Sequence, residues 1–93
     1  SHAEGYQTTA SGSASHAQGD RTRALSDYSH AGGQSVTAYG LGSFVHSNGN
    51  TLNSSEYGVS GDSSAILGGQ FNKIFLGGDL SAIIGGTYNV IYT

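Results

Sequence analysis

Small side chains recur along the first part of the chain every seven residues, with larger polar side chains between them. Alanine marks this period, at Ala3, Ala10, Ala17, Ala24, Ala31 and Ala38. Each alanine lies in a frame close to Ser/Thr-x-Ala-x-Gly, and the alternation inside a frame has the period of two that is typical of a β-strand. In the first frame, Ser1, Ala3 and Gly5 therefore face one side, while His2 and Glu4 face the other. We expect short strands whose small residues line a narrow interior.

Two frames form a longer unit of 14 residues, because the triplet Ser-His-Ala begins at positions 1, 15 and 29. A short fixed period indicates one structural unit stacked on copies of itself. A heptad coiled coil is excluded because it needs large apolar residues at two positions in seven, and each glycine in a helix costs about 1 kcal/mol relative to alanine. The repeat therefore predicts an all-β chain folded as a parallel β-solenoid or β-roll.

The pattern changes after the 14-residue repeat, which we assign to residues 1–42. His46 lies 16 residues beyond His30, which predicts an insertion of two residues near Tyr39–Phe44. Residues 43–63 are rich in Ser, Asn and Gly, which favour turns. We therefore predict an irregular transition segment there.

A second repeat, with a period of 17 residues, begins at Ser64, and Ser64–Ile74 aligns with Ser81–Ile91. Both copies carry Gly-Gly and Asn turn residues between apolar runs, which predicts an apolar β-solenoid over residues 64–93. The continuous Ile-Leu and Ile-Ile runs favour burial on both faces of their strands. We expect one face to fill the coil and the other to meet another chain.

The 14-residue segment lacks the large apolar side chains that a core of its own would need. Its large apolar and aromatic residues are Tyr6, Leu25, Tyr28, Val36, Tyr39 and Leu41. Ordering a residue costs roughly 1.5 kcal/mol, and burial of alanine and glycine within one chain does not offset that cost. The strict period argues against disorder, so we expect neighbouring copies of the chain to supply the missing burial.

The composition narrows the range of functions. Three Lys or Arg residues and a net charge of −3 give too few cations for a surface that follows nucleic-acid phosphates. The sequence has no cysteine for a disulfide or a cysteine metal site, and no apolar run of about 18 residues that would span a membrane. It begins within a repeat, so we expect it to be a piece of a longer protein.

The Ser-x-Ala-x-Gly frames resemble the head repeats of YadA-like trimeric autotransporter adhesins, which follow a Ser-Val-Ala-Ile-Gly pattern. Ser1, Ala3 and Gly5 match this pattern, as do the equivalent residues of the frames at 15–19 and 29–33. The SAILGG and SAIIGG repeats look like those of phage and large-virus tail-fibre proteins. The resemblance implies an intertwined homotrimer of parallel left-handed β-rolls, aligned along a fibre axis.

The same resemblance implies a structural and adhesive role without catalysis or a cofactor. The preferred interpretation is a segment of a phage or viral tail fibre that attaches to a host receptor, either a protein or a glycan. The head of a bacterial trimeric adhesin is the alternative. Both interpretations place the chain outside the cell, on a cell surface or a virion surface.

His2, His16 and His30 stand where the family usually has valine, and this is the main departure from its pattern. Parallel stacking places successive coils about 4.8 Å apart, so these histidines should form a ladder in each chain. Imidazole is a common metal ligand, and three such ladders on the trimer axis could hold a metal ion or an anion. A hydrogen-bonded or solvated structural ladder is the alternative. If the ladder is buried, charging it below about pH 6 should weaken the trimer.

Further patterns suggest other chemistry. The Gly-Gly-Asp at residues 77–79 resembles a calcium-binding repeat but has no regular array around it. Ser, His and Asp all occur, but no Gly-x-Ser-x-Gly elbow presents a nucleophile, so we expect no enzyme. The scattered tyrosines either stack on receptor sugars or pack in the apolar third and cover corners. The column of Thr8, Thr22 and Val36, with Thr9 and Thr37 adjacent, would suit an ice-binding solenoid. However, Thr8 and Thr22 are expected to face inward, and Arg23 interrupts the outward column of Thr9 and Thr37.

Overall fold

The computed structural model describes residues 1–49, 58–59, 61–75 and 79–91. In this part of the chain every regular element is a β-strand, and each coil adds one strand to each of two six-stranded parallel sheets. The prediction of an all-β parallel solenoid is confirmed. The same residues form no helix of the length and apolarity needed to cross a membrane.

The two sheets, here called sheet I and sheet II, run side by side along the solenoid. Sheet I contains β1 (His2–Tyr6), β3 (His16–Asp20), β5 (His30–Gln34), β7 (Phe44–Asn48), β9 (Ala65–Ile66) and β11 (Ala82–Ile83). Sheet II contains β2 (Thr9–Ala10), β4 (Arg23–Ala24), β6 (Thr37–Ala38), β8 (Gly58–Val59), β10 (Lys73–Ile74) and β12 (Val90–Ile91). Equivalent residues of successive coils pair in register, so they form columns along the solenoid.

The inward-facing columns carry small residues at the N-terminal end and larger ones toward the C-terminal end. In sheet I the column reads Ala3, Ala17, Ala31, Val45, Ile66 and Ile83. In sheet II it reads Ala10, Ala24, Ala38, Val59, Ile74 and Ile91. The four alanines of the second and third coils are fully buried, as the repeat predicted. Those of the first coil are less buried because β1 and β2 are the outermost strands of their sheets.

The serine that opens each Ser-x-Ala frame closes a corner between the two sheets. The hydroxyls of Ser15, Ser29 and Ser43 donate to the carbonyl oxygens three residues earlier, at 2.6 to 2.7 Å. All three serines are buried, and a buried hydroxyl needs a hydrogen-bond partner. The serine of each frame therefore supplies a hydrogen-bond donor to a carbonyl oxygen within the narrow corner.

Most corners also place a residue other than glycine in the left-handed backbone region. One corner column contains Gln7, Arg21, Ser35, Phe71 and Tyr88, and the other contains Ala14, Tyr28, Ser63 and Leu80. Their φ angles lie between 52° and 61°, a region that such residues rarely adopt. Corner amides bond to the preceding coil, as in the 2.7 Å bond from the Arg21 amide to the Tyr6 carbonyl. Stacking of the coils therefore stabilises a conformation that is unfavourable in a single turn.

The strand register corrects one detail of the sequence interpretation. His30 pairs with Phe44 and Ala31 with Val45, so the 14-residue spacing continues through β7. The predicted insertion of two residues near Tyr39–Phe44 is therefore wrong. The alignment of His46 with His30 was misleading because the outward positions accept many side chains, whereas the buried position of Val45 fixes the register.

The longer coil lies after β7, where successive equivalent residues are 21 positions apart, as for Leu41 and Asp62. Within the segment 43–63, β7 pairs with strands on both sides, and so does β8. Both sheets therefore continue through this segment in one chain. Residues 50–57 and 60 of the segment lie outside the described residues.

The 17-residue repeat produces the last two coils in the alignment that the sequence predicted. Ala65 pairs with Ala82, and Ile74 pairs with Ile91. Ile66 and Ile83 fill the coil, whereas the residues that follow them, Leu67 and Ile84, point outward. In the single chain this outward side is exposed, so burial on both faces is not achieved by one chain alone.

Candidate functional site

The outward-facing residues of sheet I form two parallel columns, which we call the outer face. The first column reads His2, His16, His30, Phe44, Ala65 and Ala82. Two residues further along the first four strands, the second column reads Glu4, Gln18, Gly32 and His46. Leu67 and Ile84, which directly follow β9 and β11, continue this column toward the C-terminal end. The histidine ladder and the outward leucine and isoleucine of the 17-residue repeat therefore lie on one continuous face.

The three histidines of the first column stack ring upon ring, and Phe44 continues the stack. Ring centroids are 5.1 Å apart for His2 and His16, 5.0 Å for His16 and His30, and 4.6 Å for His30 and Phe44. The ring planes differ by 16°, 3° and 10° in the same order. In the single chain the stack faces outward, with His2 exposed and the other two imidazoles half-buried by their neighbours.

The second-column residue beside each histidine of the ladder is different. Nε2 of His2 lies 3.6 Å from a carboxylate oxygen of Glu4, and both side chains are largely exposed. Nε2 of His16 lies 3.1 Å from Oε1 of Gln18. The third rung has no side chain at this position because residue 32 is glycine, and the ring of His46 lies over it from the next strand.

The surroundings of His30 disfavour its protonation. Partial burial lowers the pKa of His30, and the nearby imidazoles of His16 and His46 lower it further. Removing water from around an imidazole disfavours its charged form, and so does a neighbour that can itself carry positive charge. His30 is therefore held as a neutral imidazole at neutral pH.

The sequence singled out His2, His16 and His30 as an axial metal ladder, and the structure brings these residues into one column. Within one chain their rings are nearly parallel, so their nitrogen lone pairs point in similar directions and do not converge on one point. Among the described residues no group of three or more His, Cys, Asp or Glu side chains is placed to hold a metal ion.

The sequence interpretation missed His46 as a neighbour of the ladder. The rings of His30 and His46 have centroids 6.5 Å apart. The signal was the glycine at position 32, where earlier coils carry Glu4 and Gln18, because a missing side chain leaves room for a ring from the next strand. Beside these residues an open groove is lined by Glu4, Gly5, Gln18, Gly19, Gly33 and His46.

The C-terminal half of the outer face is apolar and exposed in the single chain. Phe44 is 36% exposed, Leu67 is 51% exposed and Ile84 is 71% exposed. The first column carries alanine at both rungs of the 17-residue repeat, Ala65 and Ala82, so the larger side chains of the second column stand above it as a ridge. A contiguous apolar surface of this kind favours contact with another apolar surface.

The tyrosines and the Gly-Gly-Asp sequence, which the sequence also suggested as candidates, lie in several different columns and corners. Tyr6, Tyr28 and Tyr39 are exposed in different columns, and Tyr88 is also exposed and stacks on Phe71 with ring centroids 4.8 Å apart. Tyr57 and Tyr92 lie outside the described residues, as do Gly77 and Gly78. Asp79, the third residue of the Gly-Gly-Asp sequence, accepts a 2.9 Å hydrogen bond from the amide of Asp62, which is a structural role in a corner.

The proposed threonine column is interrupted as the sequence suggested. Thr9 pairs with Arg23, and Arg23 pairs with Thr37. Two of the cations are engaged locally. Arg21 lies 3.3 Å from Asp20, and the ammonium of Lys73 lies 4.7 Å from the ring centre of Phe75.

Comparisons with family models, curated proteins and solved structures gave no match for this chain. The outer face and the resemblance of the repeat frames are therefore the features that bear on function.

Proposed function

We propose that this chain is a structural and adhesive segment of a homotrimeric surface fibre, of the kind found in phage and viral tails, with no catalytic activity. The observation that carries the proposal is the exposed apolar ridge of Leu67 and Ile84 on the outer face. Covering the exposed part of each side chain would contribute roughly 1–2 kcal/mol, because full burial of such a side chain contributes about 1.5–3 kcal/mol. Identical chains placed in parallel around an axis bury this ridge three times.

The small apolar area buried inside the N-terminal coils supports the same proposal. The fully buried apolar residues of residues 1–42 are Ala17, Ala24, Ala31, Val36 and Ala38. A core made almost entirely of alanine contributes little to stability, because the stabilisation scales with apolar area removed from water. Association of the outer faces adds burial that this part of the chain does not provide for itself.

In the proposed trimer, the two halves of the outer face have different roles. The C-terminal half, with Phe44, Leu67 and Ile84, supplies an apolar contact near the axis. The N-terminal half brings three histidine stacks together with Glu4 and Gln18, and these polar groups retain water between the chains. The left-handed winding of each roll and its extracellular location belong to the same proposal and derive from the resemblance of the repeat frames.

The test is the solution mass of the chain by light scattering, with circular dichroism to establish the β-structure. We expect a β-rich species of about three times the chain mass of 9.4 kDa. The double variant Leu67→Asp/Ile84→Asp should shift the species toward the monomer mass. Leu80→Asp is the matched control, because Leu80 is 83% exposed but lies at a corner away from the outer face.

Two results would contradict the proposed assembly. A folded wild-type monomer would show that the alanine-rich core is sufficient to stabilise a single chain. Equal dissociation of the Leu80→Asp variant would show that the contact is not specific to the outer face.

Attachment to a host receptor is the adhesive part of the proposal. The 17-residue coils favour a tail fibre over the head of a bacterial trimeric adhesin, because their apolar repeats resemble those of fibre proteins. Binding of the labelled trimer to host cells, before and after enzymatic removal of surface glycans, tests this role and separates a glycan receptor from a protein receptor. The broken Thr9, Arg23 and Thr37 column gives no support to the ice-binding alternative.

A further inference from the structure

All four histidines of the chain lie on the N-terminal half of the outer face. His2, His16 and His30 form the first column, and His46 lies in the second column. Histidine is the side chain whose charge ordinarily changes between pH 5 and 8. Carboxylates remain ionised above pH 5, and tyrosine and lysine titrate far above neutral pH. The side-chain charge that the protein gains between pH 7.5 and pH 5.0 is therefore confined to one half of one face.

The C-terminal half of the same face gains no charge over this range. Its outward residues are Phe44, Ala65, Leu67, Ala82 and Ile84, and none of these side chains is ionisable. Acid therefore changes the electrostatics at one end of the face and leaves the apolar contact surface at the other end as it was.

The imidazoles lie close enough together to repel one another when they are charged. Successive ring centroids are 5.1 Å and 5.0 Å apart along the ladder, and those of His30 and His46 are 6.5 Å apart. Glu4 supplies a carboxylate oxygen 3.6 Å from Nε2 of His2, whereas the second-column positions beside His16 and His30 carry a neutral amide and a glycine. Like charges at these distances repel, so full protonation leaves an excess of positive charge on this half.

The other ionisable side chains of the neighbouring strands do not offset this excess. Tyr6 and Asp20 lie at the far ends of β1 and β3, and Asp20 is already paired with Arg21 at 3.3 Å. The strands of sheet II, packed behind sheet I, carry Arg23 and Lys73. Each of these two cations precedes an inward-facing residue, so both lie on the opposite side of the solenoid from the histidines.

We propose that acid separates the N-terminal coils of the trimer while the apolar C-terminal half keeps the three chains together. This inference rests on the proposed function, in which three outer faces meet at one axis. At pH 7.5 an ordinary imidazole is mostly uncharged, and the ladders can approach one another. At pH 5.0 each chain brings up to four positive charges to the axis against the single carboxylate of Glu4. Repulsion then opens one end of the assembly and exposes the groove beside Glu4, Gln18 and His46.

The test measures distances between spin labels on the three chains by double electron–electron resonance. The chain has no native cysteine, so Thr9→Cys and Val90→Cys each provide one labelling site. Both positions are exposed and lie at opposite ends of one outward column of sheet II, away from the outer face. We expect the distance at position 9 to be longer at pH 5.0 than at pH 7.5, and the distance at position 90 to be unchanged. Light scattering should give the trimer mass at both pH values.

Two controls connect the opening to histidine charge. At pH 5.0, 1 M NaCl should reverse most of the lengthening at position 9, because it reduces the screening length to about 3 Å. A variant in which all four histidines are replaced by glutamine should show the same distance at position 9 at both pH values. Circular dichroism establishes that each labelled protein is folded. The salt dependence of the chain with its histidines intact tests the proposal even if the glutamine variant does not assemble.

Several results would overturn the proposal. They are an unchanged distance at position 9 in a trimer at pH 5.0, equal lengthening at position 90, full lengthening in the histidine-free variant, and dissociation to monomers at pH 5.0. A monomer mass already at pH 7.5 would instead contradict the proposed trimer itself. Failure of the acid response and failure of the proposed function are therefore distinguishable.

Discussion

The amide of Asn89 donates to Oδ1 of Asn72 at 2.8 Å, across the 17 residues that separate successive coils. Nδ2 of Asn72 donates to the carbonyl oxygens of Gly68, at 3.2 Å, and Gly86, at 3.0 Å. The Asn72 side chain is fully buried. One side chain therefore fixes the corner of its own coil and connects that corner to the next coil.

Thr22 has part of this role in the shorter coils. Its buried hydroxyl donates to the carbonyl of Gln18, four residues earlier, at 3.1 Å. Asn72 makes the equivalent bond to the residue four positions before it. The 17-residue coil carries an additional glycine in this corner, and the longer asparagine side chain can also reach the next coil. The change from threonine to asparagine therefore accompanies the change in coil length.

Asn72→Ala should destabilise the chain much more than Asn89→Ala. The first change removes three part-buried hydrogen bonds made by a fully buried side chain, and we expect a loss of about 2–4 kcal/mol in the free energy of unfolding. The control removes one exposed bond, from Asn89 to Gly85 at 3.0 Å, and should cost about 1 kcal/mol or less. Urea denaturation followed by circular dichroism measures both. Equal losses would contradict the assigned role of Asn72.

Gly19→Ala should also be severely destabilising. Gly19 has a φ of 115°, and a β-carbon there would lie 2.2 Å from the carbonyl oxygen of Gly33 in the next coil. We expect a loss of about 3 kcal/mol or more, from backbone strain and from separation of the stacked strands.

Gly85→Ala is the matched control for this glycine. A β-carbon on Gly85 has no atom within 4 Å, and its φ lies outside the left-handed region. We expect its melting temperature to change little from that of the wild type. A similar melting temperature for Gly19→Ala would show that the coils can separate without cost.

Aspartates directly before the corner column of Ala14, Tyr28, Ser63 and Leu80 accept hydrogen bonds from backbone amides of the preceding coil. A carboxylate oxygen of Asp27 accepts from the amide of Ser13 at 2.8 Å, and Asp62 accepts from Leu41 at 2.9 Å. Asp27→Ala should cost about 1 kcal/mol in thermal unfolding, whereas Asp27→Asn retains an acceptor oxygen and should cost less. An equal loss in the two variants would indicate that the charge, and not the hydrogen bond, is what matters.

The sequence predicted the parts of the fold that depend on strict spacing. The buried alanines, the outward histidines and the alignment of Ser64–Ile74 with Ser81–Ile91 all follow from a fixed period, because each copy of a repeat has the same environment. The length of the third coil was predicted poorly. There, the outward His46 was given more weight than the inward Val45, although burial on the inner side sets the register.

The pairing of His30 with His46 could not be predicted from spacing alone. These residues occupy different columns, and they meet because Gly32 leaves a vacant position between them. A column analysis of the aligned coils would have revealed the vacancy, but it requires the correct register of β7. The error in coil length therefore concealed this contact.

Acid should destabilise the fold through His30, and the direction follows from its environment. Burial, His16 and His46 lower the pKa of His30 in the folded chain, whereas an unfolded histidine titrates near pH 6.5. The unfolded state therefore binds the proton more readily. The stability that depends on neutral His30 is complete above about pH 6.5 and is lost as the pH falls through the lower folded pKa. We expect a lower melting temperature at pH 5.0 than at pH 7.5, and a smaller difference in His30→Gln. His2→Gln, at the free end of the stack, should retain the wild-type difference. An equal pH dependence in the wild type and His30→Gln would assign the acid sensitivity to other groups.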